Sequence, residues 1–170
     1  MQKQIVTLMV LGLLLSVSSS YGQGKFQSYF GLSSTEDLEN LISHPVLETS
    51  DGSYICMGNS TRNSSTGKDI AVTKINAKGE IIWDNTYGGS GDEVGYSISR
   101  MNDGYLIAGK SETYGTNNDP AAFLAKINAE GDHEWSKAFS AIEDNRAVLA
   151  KQTSDDGIFV MGQSENKDSS

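Results

Sequence analysis

Cysteine is nearly absent from this chain: Cys56 stands alone in 170 residues, so no disulfide within it can staple the fold. In the apolar run Tyr54-Ile55-Cys56-Met57-Gly58, with no Cys or His partner close in sequence, it reads as a small buried hydrophobe rather than a reactive thiol. Histidine is almost as scarce. His44 and His133 are the only two, neither sits in a nucleophile-elbow context, and no G-x-S-x-G occurs, so the sequence offers no catalytic constellation. His133 also occupies a position whose counterpart 52 residues earlier is Ile81, which is the mark of a tolerant, exposed strand position. Basic residues are few: 13 Lys and Arg face 22 Asp and Glu, a net charge of −9. Such a balance excludes nucleic acid and anionic lipid as partners, because affinity for either comes mainly from Lys and Arg, and it favours solubility. Helical periodicity is missing as well, since the 18 glycines are scattered through every segment and no window beyond the N-terminus holds a 3.6-residue period.

The one long apolar run is N-terminal. Lys3 precedes a 13-residue stretch from Ile5 to Val17, followed by small and polar residues, with Ser20 and Gly22 placed three and one residues before a cut. That is the pattern of a signal peptide over residues 1–22, with the mature chain starting at Gln23. A spanning helix would need about 20 apolar residues, so no membrane insertion is expected after cleavage. No cysteine lies near the cut to carry a lipid, and the expected location is outside the cell or on its surface.

What is present is repetition. Lys74-Ile75-Asn76 recurs as Lys126-Ile127-Asn128, Gly79 as Gly131, Trp83 as Trp135 and Tyr87 as Phe139, each 52 residues on. A second motif occurs three times, around Asp51-Gly52, Asp103-Gly104 and Asp155-Asp156-Gly157, each followed by an apolar run that ends in Gly58, Gly109 or Gly162. Each unit reads as four short strands. The run from Ile70 to Ile75 is followed by a turn whose last residue, Gly79, can take positive φ; then come Glu80 to Tyr87, Tyr96 to Met101, and Tyr105 to Gly109. Asp-Gly between two apolar runs marks a hairpin. In the strands that follow the Asp-Gly turns (YICMG, YLIAG, IFVMG) apolar residues fall on both faces, as expected of a sheet sandwiched between two others.

Four antiparallel strands in about 52 residues is the pattern of a β-propeller blade. The Lys-Ile-Asn strand end, the Gly turn, Trp followed by an aromatic, Gly-Gly and the Asp-Gly hairpin resemble the blade repeat of secreted bacterial β-propeller proteins, some of them described as lectin-like. The resemblance implies an all-β chain, a partial propeller of about three four-stranded blades over residues 23–170. It implies little about activity, because propellers host many functions. Closed propellers use four to eight blades, and 148 residues (170 less 22) hold about 2.8 repeats. The expectation is therefore that the chain is a fragment of a longer product, or self-assembles to close a ring, or forms a short open stack.

The reading that follows is a non-enzymatic exported segment for binding or adhesion, with an unknown glycan or protein as ligand. Its rivals are part of a propeller hydrolase or lyase whose catalytic residues lie on other blades, and a structural spacer. Ligand contacts are expected on the loops spanning Thr61 to Lys68 and Glu112 to Asp119, with Arg62, Lys68, Tyr114, Asn117 and Asn118 as candidates. No cofactor is called for. Asp92 recurs as Asp144 before corresponding strands, but no copy has the D-x-[DN]-x-[DN]-G spacing of a calcium loop, so both are expected to accept hydrogen bonds from loop amides rather than to bind metal. Trp83 and Trp135, kept in both copies, are expected to pack between blades rather than to hold sugar. The sequons at Asn59 and Asn63 sit in an Asn/Ser/Thr-rich loop and are not read as glycosylated.

Overall fold

A computed structural model describes residues 45–60, 67–116, 119–139 and 145–164. The leader, the start at Gln23, His44, Arg62, Asn63, Asn117, Asn118 and Asp144 lie outside these residues. Among the described residues every regular element is a β-strand and every pairing is antiparallel. A first sheet runs in chain order through β1 (Val46–Glu48), β2 (Tyr54–Ser60), β3 (Asp69–Ile75) and β4 (Ile81–Tyr87). A second follows as β5 (Glu93–Met101), β6 (Gly104–Thr116), β7 (Asp119–Asn128) and β8 (His133–Phe139). A third consists of β9 (Asn145–Gln152) and β10 (Ile158–Ser164). The described residues thus form only antiparallel β-sheets, two of them four-stranded meanders, as the sequence leads one to expect.

The recurring residues have a local physical cause. Asn76 Oδ1 accepts from the amides of Lys78 (2.9 Å) and Glu80 (3.0 Å), and Asn128 Oδ1 accepts likewise from Glu130 (3.1 Å) and Asp132 (2.7 Å). These side-chain turns need a left-handed residue to close them, and Gly79 (φ 84°) and Gly131 (φ 87°) supply it. The lysine two residues before each Asn reaches across its sheet to the aspartate of an earlier turn: Lys74 Nζ to Asp51 at 3.2 Å, Lys126 Nζ to Asp103 at 2.7 Å. Both bridges join the turn between a sheet's first two strands to its third strand. In an exposed setting each is worth little stability, so what recurs is mainly geometry. The backbone slips by one residue after Lys74 opposite Trp83, and after Lys126 opposite Trp135, which puts the two tryptophans at corresponding places.

Alternation along the strands divides the interior in two. Ile55, Met57, Ile70, Val72 and Tyr87 of the first sheet meet Ile98, Tyr105, Ile107, Phe123, Ala125 and Ile127 of the second. The intervening residues of the second sheet, Leu106, Ala108 and Leu124, turn the other way onto Ala147 and Ala150 of β9. The second sheet is therefore apolar on both faces because both faces are covered, which accounts for the uninterrupted run Tyr105-Leu106-Ile107-Ala108. The equivalent run in β10 behaves differently. Ile158, Phe159, Val160 and Met161 are all exposed, since β10 is paired only with β9 and nothing among the described residues covers its faces.

Cys56 on β2 is half-buried rather than fully enclosed, and burial pushes its thiol up to about 11. At pH 8 it should react with a disulfide reagent about a hundredfold more slowly than free cysteine and recover normal reactivity in denaturant. A native rate matching the free thiol would show that β2 is not packed as described.

Candidate functional site

Strand connections fall on two edges. Tight turns at 49–53, 76–80, 102–103, 129–132 and 153–157 form one; the strand ends Ser60, Asp69, Tyr87, Glu93, Thr116, Asp119, Phe139 and Asn145 lie at the other. The turn edge is fastened by hydrogen bonds between sheets. Trp83 Nε1 donates to Ala129 O (3.2 Å), while Asn85 Nδ2 (3.0 Å) and Tyr87 Oη (2.5 Å) both donate to Gly131 O. Burial drives the Tyr87 phenol up to about 12, so it remains a donor throughout the physiological range. Trp83 is half-buried against the core shared by the first two sheets, and Trp135 packs against the second cluster with Lys137 Nζ 5.7 Å from its ring centroid. Both tryptophans pack, as expected from their recurrence.

The opposite edge carries the candidate residues that the structure describes. Lys68 and Asp92 interlock: the Lys68 amide donates to Asp92 Oδ1 at 2.8 Å, and the Glu93 amide donates to Lys68 O at 2.6 Å. Asp92 thus does accept a loop amide, and it joins the first sheet's connection to the start of β5. The Glu112 amide donates to Asp92 O (2.9 Å) and the Gly91 amide to Thr113 Oγ1 (2.9 Å), which ties β6 to the same knot. Glu112 to Thr116 is therefore not the loop the sequence suggested. It extends β6, whose hairpin with β7 tightens to the pair Thr116 and Asp119 after a register shift.

Tyr114 rides on that extension. Its ring lies 5.9 Å from the ring of Phe123 at an interplanar angle of 6°, stacked on a residue that is 2% exposed, while Tyr114 itself is 49% exposed. The buried ring fixes the exposed one, giving a flat, rigid apolar surface beside polar backbone. That is the kind of surface on which a sugar ring or a partner's side chain can rest. Of the five candidates, the structure brings Lys68 and Tyr114 to one edge. Arg62, Asn117 and Asn118 belong to connections outside the described residues.

Sequence reasoning missed two acidic residues here. Asp69 opens β3 and Glu93 opens β5, and both are buried. Glu93 Oε1 accepts from Ser111 Oγ at 2.5 Å and from the Thr113 amide at 3.4 Å; Oε2 accepts from the Gly89 amide at 2.6 Å. Among the described residues Asp69 Oδ1 has no hydrogen-bond partner. The available signal was a charged residue at the head of an otherwise apolar strand, with Ala121 in its place 52 residues later. Elsewhere His133 is exposed on β8, with Nε2 2.7 Å from Ser136 Oγ. Among the described residues no three His, Cys, Asp or Glu side chains converge to hold a metal ion. Compared with models of known protein families and with curated proteins, the chain matches none.

Proposed function

We propose that this chain is an exported, non-enzymatic binding module whose four-stranded sheets are blades of a β-propeller, with the long-connection edge as its binding face. The ligand class is a glycan or a protein, and the observation that carries the reading is the Tyr114 ring held flat on Phe123 at that edge. Three features support it. Consecutive meanders stacked through apolar faces are how propeller blades pack. The connections at this edge differ in sequence between corresponding positions, while the turn edge repeats its residues, and variation on a fixed scaffold suits recognition. Lys68 stands at the same edge as Tyr114 and adds a cationic group to an otherwise acidic chain. In this reading β10, apolar and exposed from Ile158 to Met161, is where self-assembly would add strands.

Calorimetric titration of the full chain with a panel of neutral and acidic oligosaccharides tests the proposal. Tyr114→Ala should weaken the best saccharide about tenfold or more while His133→Ala leaves it unchanged. Equal affinity in Tyr114→Ala would remove the platform from the reading. Hydrolytic or eliminative turnover of a panel member, lost in His133→Ala, would replace a binding module with an enzyme.

A further inference from the structure

The buried acids at the seam between the first two sheets lie too close to carry two full charges comfortably. A Cβ placed on Gly88 would stand 2.5 Å from Glu93 Oε2 and closer still to Asp69 Oδ1, so the two oxygens are less than about 5 Å apart. Glu93 is fully buried and Asp69 is 7% exposed. All three donors at this place, Ser111 Oγ and the amides of Thr113 and Gly89, go to Glu93. Asp69 Oδ1, equally enclosed, receives none among the described residues. A buried carboxylate oxygen without a donor costs several times an ordinary hydrogen bond, and the cost disappears if the oxygen is itself the donor.

We propose that Asp69 and Glu93 share one proton, borne on Asp69 Oδ1 and directed at Glu93 Oε2, and that its release to solvent as pH rises loosens the seam between the two four-stranded sheets. Glu93 is the acceptor of the pair, as it already is towards its three donors. The charges that act on Asp69 are negative. Burial raises its pKa most, followed by Glu93 and Asp92. Glu112, whose Cβ is within 2.9 Å of where a Gly91 side chain would begin, brings a further acid to the same knot. Lys68 is the cation adjacent in sequence, and its backbone meets Asp92 and Glu93.

The scaffold itself does not demand this pair. The residues 52 positions on, Ala121 in β7 and Asn145 at the head of β9, are buried and carry no carboxyl group. The acids are therefore particular to the first seam, where they sit beside the connection that carries Lys68. A metal ion between them is the less suitable occupant, since among the described residues no three His, Cys, Asp or Glu side chains converge to hold one.

The sign of the pH effect follows from the raised pKa. Folding favours protonated Asp69, so the contribution is fully present below the ordinary carboxylate range and is lost as pH rises through the folded-state pKa. Above it two carboxylates repel across the seam. Carbon-detected NMR titration of the full chain should show the Asp69 carboxyl ionising above its ordinary value of 3.8, and Glu93→Gln should bring that ionisation back down. The thermal midpoint in chelator should fall across the same titration. In Asp69→Asn, whose amide can donate to Glu93 permanently, the fall should vanish, and above the titration the variant should outlast the natural protein by a few degrees. Asp69 ionising at or below 3.8, or Asp69→Asn melting lower at every pH, would overturn the shared proton. So would calcium that raises the high-pH midpoint of the natural protein and not of Asp69→Asn, since a cation would then be what holds the pair.

Discussion

Replacing Phe123 by alanine is expected to destabilise the chain by about 3–5 kcal/mol, a large part of the roughly 5–15 kcal/mol available to a domain. The residue is 2% exposed on β7 and lies among Ile55, Met57, Ile70 and Val72 of one sheet and Tyr105, Ile107 and Ala125 of its own. Truncation removes an aromatic side chain where two sheets meet, and neither sheet can collapse into the gap without breaking its own ladder. It also removes the support beneath Tyr114, 5.9 Å away. The single substitution should therefore act twice, lowering the urea midpoint and weakening the saccharide affinity assigned to the exposed ring. Tyr114→Ala separates the effects, because a half-exposed ring should cost affinity with much less loss of stability. If Phe123→Ala shifts the midpoint no more than Tyr114→Ala does, the two sheets are not packed through this residue. Leu124→Ala, on the opposite face against Ala147 and Ala150, supplies the matching measure for the second seam.

Much of this architecture is legible in the residues because short-range chemistry fixes it. The Lys-Ile-Asn-x-x-Gly segments announce a strand end, a side-chain turn and a left-handed glycine, and both copies form that unit. β3 is the run from Ile70 to Ile75 with Asp69 added, and β4 is the expected strand Glu80 to Tyr87 less its first residue. Errors grow where partners decide. β5 starts at Glu93 rather than Tyr96 because its first residues pair with Lys110 and Ser111, and a bulge between Gly95 and Ser97 hides the alternation. β6 runs on to Thr116 through polar residues that read as loop, since Ser111 and Thr116 pair with Ala121 and Asp119. The exposed face of β10 could not be told from the covered face of β6, whose composition it shares: burial depends on what stands opposite. Asp69 and Glu93 are 24 residues apart, and only the seam between sheets makes them one group. Lys68 and Tyr114 are legible as candidates because their segments vary between the repeat copies, but the stacking on Phe123 that gives Tyr114 its role is a tertiary fact.

Gly131→Val should be as damaging as the loss of Phe123, and for a different reason. Gly131 closes the turn between β7 and β8 at φ 87°, a conformation that a β-branched residue adopts only under strain. Its missing side chain is also the space in which the first sheet docks. A Cβ would stand 2.8 Å from Asn85 Nδ2 and from Trp83 Cδ2, and the carbonyl of Gly131 already accepts hydrogen bonds from Asn85 and Tyr87. Backbone strain of about 1–3 kcal/mol and overpacking of about 1–3 kcal/mol combine to roughly 2–6 kcal/mol. Gly52→Val separates the two parts. Gly52 has nearly the same torsion, φ 79°, with nothing within 4 Å of its absent Cβ, so that variant bears the strain without the collision. Measured by urea unfolding, Gly131→Val should exceed Gly52→Val by the overpacking share, and its near-ultraviolet circular dichroism should lose the contribution of the clamped Trp83 ring. Equal losses in the two variants would mean that the turn closes without touching the neighbouring sheet. The hydrogen bonds from Trp83, Asn85 and Tyr87 would then be ornaments of that turn rather than the fastening between sheets.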